Sequence, residues 1–83
     1  MNSENIEFLT DKLNLIKSDD SIPRNIRVRI DQTINCLNNN NKDLFLKIDE
    51  ALQELDEISN DPNLPNYIRV EILNLIGLIG GYQ

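Results

Sequence analysis

Histidine and tryptophan are absent from this chain, and cysteine occurs once, at Cys36. Without histidine there is no side chain whose ordinary pKa lies near neutrality, and no partner to activate a Cys or Ser nucleophile. A lone cysteine forms no internal disulfide and, with no histidine beside it, supplies no zinc ligand set. The sequence therefore predicts an inert, half-buried thiol, no metal and no cofactor. Glycine is also scarce, with three in 83 residues, and none belongs to a phosphate-cradling loop. Catalysis is disfavoured on every one of these counts.

Positive charge is the next shortage. Eight Lys and Arg stand against 14 Asp and Glu, for a net charge of −6, and this field repels polyanions at long range. Aromatic residues make up 5% of the chain, too few for a platform on which bases stack. Both shortages weigh against nucleic acid as a partner. Long apolar runs are missing too, and Met1 to Glu7 has neither a basic stretch nor an apolar core, so the expected location is the cytoplasm, with no membrane contact.

What remains is helical periodicity. Ile6, Leu9, Leu13 and Ile16 share one face of a first helix from about Ser3 to Ser18, capped by Asn2 or Ser3. Proline fits only the first turn of a helix, so Pro23 starts a second one, with Ile26, Ile30, Ile34 and Leu37 as its stripe; the Asn38 to Asn41 tract ends it. A third helix begins near Lys42, with Asn41 as cap, and runs to Ser59 on Leu44, Ile48, Ala51, Leu52, Leu55 and Ile58. Pro65 opens a fourth, carrying Ile68, Ile72, Leu75, Ile76 and Ile79 up to Gly80 and Gly81.

A repeat underlies this order. Sliding the chain by 42 places puts Leu13, Ile16, Asp19, Pro23, Ile26, Arg27, Val28 and Ile30 on Leu55, Ile58, Asp61, Pro65, Ile68, Arg69, Val70 and Ile72, eight identities in 18 positions. The same helix, Asp/Pro loop and helix thus occur twice, at about residues 3–40 and 41–82. Two hairpins that cannot bury their apolar faces alone pack into one all-α domain over residues 1–83, an antiparallel four-helix bundle. Two stacked HEAT-like repeats are the alternative, although so few rarely make a stable solenoid.

Two loop segments carry a family resemblance. Asp56-Glu57-Ile58-Ser59-Asn60-Asp61-Pro62-Asn63-Leu64-Pro65 resembles the signature segment of a small archaeal family, uncharacterised protein family 0147, and Asp19 to Arg27 resembles that family's other well-marked segment. The resemblance implies an archaeal cytosolic protein, a compact helical bundle, and no established activity, cofactor or substrate. It supplies no functional residues to carry over. The Asn38 to Asn41 tract departs from the pattern and points to a moderate-temperature source, since asparagine is thermolabile.

Candidate site residues follow from the residues themselves. Asp19 with Arg27, and Asp61 with Arg69, flank the two proline turns, where each guanidinium is placed to clamp the loop through the carboxylate and nearby carbonyls. An anion site is the functional alternative. Arg24, Arg27 and Arg29 are spread too widely round their helix for a phosphate stripe, and intramolecular pairing with the acidic third helix accounts for them. Asp49, Glu50, Glu54, Asp56 and Glu57 read as a solvated acidic face.

Apolar residues off the core stripes are the remaining functional hint. Val70, Leu73 and Gly77 form one line of the fourth helix, and Phe8 with Leu15 a second pair on the first. The line is either buried between two neighbouring helices or an interface. The sequence therefore points to a noncatalytic protein-interaction or scaffold module able to self-associate; a nucleic-acid-associated factor or accessory enzyme subunit is the alternative.

Overall fold

The computed structural model describes residues 3–80, which form four α-helices: α1 (Ser3–Lys17), α2 (Arg24–Leu37), α3 (Leu44–Ser59) and α4 (Asn66–Gly80). Each helix presents the stripe expected of it, and one continuous core joins Leu9, Leu13 and Ile16 with Ile26, Ile30, Ile34 and Leu37, then Ile48, Ala51, Leu55 and Ile58, then Ile68, Ile72, Leu75 and Ile79. Three- and four-residue spacing is what lets these side chains meet on one side of each helix. Close packing joins α1 to α2, α2 to α3 and α3 to α4, and the result is an antiparallel four-helix bundle.

The connections are short, residues 18–23, 38–43 and 60–65, and all three have the same geometry. In each, an Asx residue two positions past the last helical residue accepts a backbone N–H two residues on. Asp19 takes Ser21 at 2.9 Å, Asn39 takes Asn41 at 2.9 Å, and Asp61 takes Asn63 at 2.8 Å. That bond turns the chain without a left-handed residue. No described residue has positive φ, and Asn38 and Asn60 cap their helices at φ −89° and −91°. Hence the bundle turns three times with no glycine in any turn.

Four boundaries differ from expectation by a residue or two, and one of them is the start of α4, at Asn66 rather than Pro65. Pro23 is the N-cap of α2 rather than its first helical residue. Asp43, not Asn41, caps α3, because its carboxylate accepts the Phe45 amide at 3.1 Å while Asn41 is already held inside the turn. Helix α1 stops at Lys17, where the turn toward Asp19 begins. Asn2 and Gly81 lie outside the described residues.

Candidate functional site

The predicted clamp residues lie at the two proline turns, with bonds different from those expected. The Arg27 guanidinium donates to the carbonyls of Lys17, Asp19 and Ile22 at 3.2, 3.2 and 3.4 Å. Arg69 does the same to Ser59, Asp61 and Leu64 at 2.8, 2.8 and 3.3 Å. The Asp side chains are not its partners. The Asp19 and Asp61 carboxylates accept from their own turns instead, which leaves each guanidinium to bond carbonyls of the helix end and the turn, those of Asp19 and Asp61 alongside the Ile22 and Leu64 amides. A third clamp, missed in the sequence, holds the middle turn: Lys47 is buried and donates to the Leu37 carbonyl at 3.2 Å.

The arginines of α2 are largely committed inside the chain. Arg29 bonds Glu54 at 2.8 Å and Glu57 at 2.6 Å, closing the seam between α2 and α3. Farther along the same seam the Cys36 thiol lies 3.2 Å from a Glu50 carboxylate oxygen, and Lys42 holds that oxygen at 2.6 Å. Burial, aided by the Glu50 carboxylate, pushes the Cys36 thiol above its ordinary value of 9.0, so it stays a thiol at neutral pH. Among the described residues, no group of three or more His, Cys, Asp or Glu is placed to hold a metal ion. None of the helices is long and apolar enough to cross a membrane.

The remaining seam, between α1 and α4, is built differently. At one end it is latched: the Tyr67 hydroxyl lies 2.8 Å from a carboxylate oxygen of Asp19 and 2.6 Å from the Ser21 hydroxyl, which itself donates to Asp19 at 2.7 Å. Along its length it is a groove of about 320 Å³, lined by Phe8, Lys12, Leu15 and Ile16 of α1 and Glu71, Asn74, Leu75 and Leu78 of α4. Phe8, Leu15 and Leu78 are 47%, 67% and 48% exposed. Lys12 lies 5.6 Å from the centre of the Phe8 ring, and no salt bridge joins it to Glu71 across the groove.

The 42-residue offset shows what this groove lacks. It carries Phe8, Lys12 and Leu15 onto Glu50, Glu54 and Glu57, and Leu78 and Glu71 onto Cys36 and Arg29. Those counterparts are the residues that zip α2 to α3. Thus the same pair of helix faces is sealed by polar bonds in one seam and left open with apolar side chains in the other.

Of the apolar residues singled out by the sequence, Phe8 and Leu15 enter the groove, while Val70, Leu73 and Gly77 lie on another strip of α4. That strip is exposed, with Leu73 at 48%, so its burial between neighbouring helices, one of the two sequence readings, does not occur within the chain. The reason is the latch and groove: α1 lies against the Leu75 and Leu78 side of α4, leaving the Leu73 side with no neighbour. Lys12, Glu71 and Tyr67 escaped sequence reading because each sits on a polar or mixed stretch of its helix, and Leu78 because it lies among apolar neighbours, Leu75 to Ile79, whose run does not tell groove from surface. Only the offset to Cys36, Glu54, Arg29 and Asn25 marks their places.

A second depression, of about 440 Å³, is lined by Ile6, Glu7, Thr10, Leu37, Asn38, Asn40 and Lys47. Its one cation, Lys47, is already bonded to the Leu37 carbonyl.

Comparison with known proteins agrees with this architecture. A protein of Methanosarcina mazei is 44% identical over 73 residues, spanning 88% of this chain and 78% of its own. One from Methanothermobacter thermautotrophicus is 34% identical over 76 residues, spanning 92% of this chain and 74% of its own. Both are described only as UPF0147 proteins. The crystal structure of the unknown-function protein MMP1188 superposes with a TM-score of 0.89 at 31% identity, covering 96% of this chain and 91% of that one. The model of Uncharacterised protein family (UPF0147) matches residues 1–80, and the chain belongs to that archaeal family of unknown function.

Proposed function

We propose that this protein is a noncatalytic interaction module of the cytoplasm whose α1–α4 groove receives a helical surface of a protein partner. The observation that carries this reading is the open seam. Phe8 and Leu78 stand about half exposed and Leu15 more, where the equivalent Glu50, Cys36 and Glu57 make bonds across the α2–α3 seam. An apolar groove between two helices is the shape into which an amphipathic helix packs. Leaving such side chains in water costs solubility, so a covering surface is the economical account.

The charge distribution supports a protein rather than a nucleic acid. Arg27 and Arg29 are bonded to carbonyls and carboxylates of this chain, and Glu71 stands on the groove wall. Photo-crosslinking from positions 15 and 78 in living cells tests the reading. A protein adduct at both positions supports it; adducts at neither would overturn it.

A further inference from the structure

The occupant of the groove is decided by the charges on its walls. Lys12 stands on the α1 wall and Glu71 on the α4 wall. They hold the places that Glu54 and Arg29 hold in the α2–α3 seam, where the pair bonds at 2.8 Å, so they share one level of the groove. Across the open groove they form no pair, and Lys12 rests beside the Phe8 ring. A surface that completes both charges needs an acid opposite α1 and a base opposite α4 at that level. The groove itself has this pattern when turned about an axis running along its length.

Resting on the interaction reading above, we propose that the partner is a second copy of this chain, docked groove to groove about a two-fold axis parallel to the helices. Such a rotation keeps each residue at its level and exchanges the walls, so Lys12 of each copy faces Glu71 of the other. It brings two α1 helices and two α4 helices into an intermolecular four-helix arrangement in which each α1 is antiparallel to the partner's α4. Phe8, Leu15 and Leu78 of both copies then bury one another. Two chains of net charge −6 repel at long range, so the contact rests on these side chains while the two ion pairs set register. Phe8 and Leu78 are already about half covered and Leu15 about a third, so the dimer is weak, with a Kd on the order of 10 μM to 1 mM.

The test is a charge exchange read by sedimentation of the full chain. Lys12→Glu alone and Glu71→Lys alone each place like charges opposite one another at both ends of the two-fold, and each should weaken the dimer by about tenfold or more. An equimolar mixture of the two variants pairs opposite charges at both positions, so heterodimers should form with affinity near that of the unaltered protein. Leu15→Glu should leave a monomer with an unchanged far-UV helical signal, because Leu15 is 67% exposed. A strictly monomeric wild type up to about 1 mM overturns the second-copy proposal. So does a mixture that fails to recover, or a dimer that Leu73→Glu abolishes and Leu15→Glu does not. A monomeric wild type whose positions 15 and 78 crosslink to a different protein in cells overturns this proposal and leaves the interaction reading standing. No adduct at either position overturns both.

Discussion

Lys47 donates to the Leu37 carbonyl at 3.2 Å, the bond that Arg69 makes to the Ser59 carbonyl at 2.8 Å one turn later in the chain. A lysine reaches one carbonyl where the planar arginine fork reaches three, because its donors sit on a single nitrogen. Arg69→Ala is therefore expected to cost about 1–3 kcal/mol, by stranding helix-end carbonyls and losing stem packing. Arg69→Lys should recover part of the loss, as the middle turn does natively. Asp61→Ala removes only the turn's Asx bond and should cost less than Arg69→Ala. Urea midpoints of the three variants check the order, and an Arg69→Ala midpoint equal to wild type would reject the carbonyl clamp.

The latch makes a pH prediction. The Ser21 hydroxyl and amide and the Tyr67 hydroxyl hold the Asp19 carboxyl below its ordinary value of 3.8. A folded pKa below the unfolded one means the latch contributes in full above about pH 3.8 and is lost as pH falls through the folded value. In Tyr67→Phe one of these donors is gone, so Asp19 should titrate closer to 3.8 while remaining somewhat depressed by Ser21. Carboxyl NMR titration of both proteins reads the shift directly. An unmoved Asp19 would show that Tyr67 does not hold the two hairpins together there.

Gly77 lies inside α4 with open space where a side chain would begin, since no atom approaches a built Cβ within 4 Å. Replacing it by alanine removes unfolded-state freedom without a clash, so Gly77→Ala should stabilise the protein by about 0.5–1 kcal/mol. A thermal or urea midpoint that falls instead would mean that the glycine is there for close approach of another backbone.

Leu73 and Leu13 test the division between surface and core. Leu73→Glu is expected to leave the unfolding free energy within about 0.5 kcal/mol of wild type, because the side chain points to water. Leu13→Ala, at a fully buried position, should cost about 2–5 kcal/mol through the cavity it leaves. Comparable losses for both would put the Leu73 strip under a covering surface in solution.

How much of this was legible in the chain depends on range. The four stripes concern neighbours within a turn or two and appear in the structure as read, while α2 and α4 begin one residue after Pro23 and Pro65. The third copy of the turn was hidden because its residues changed while its geometry stayed: Asn39 replaces an aspartate, Asp43 a proline, Lys47 an arginine. Each substitute supplies the same acceptor, cap or cation, which letter identity does not register.

Composition and periodicity by themselves determined that this protein is helical, that it turns after each stripe, and that it holds no histidine or cysteine pair for catalysis. Helical hydrogen bonding and apolar spacing are local, so they can be read residue by residue. Only the tertiary structure decided which faces meet. It placed Phe8 and Leu15 beside Leu78 rather than beside the Val70, Leu73 and Gly77 strip, and it gave Arg27 and Arg69 to carbonyls rather than carboxylates. The rotation of one helix against another depends on packing the whole core at once, and a turn of about 100° per residue moves a side chain from groove to solvent without changing the local pattern.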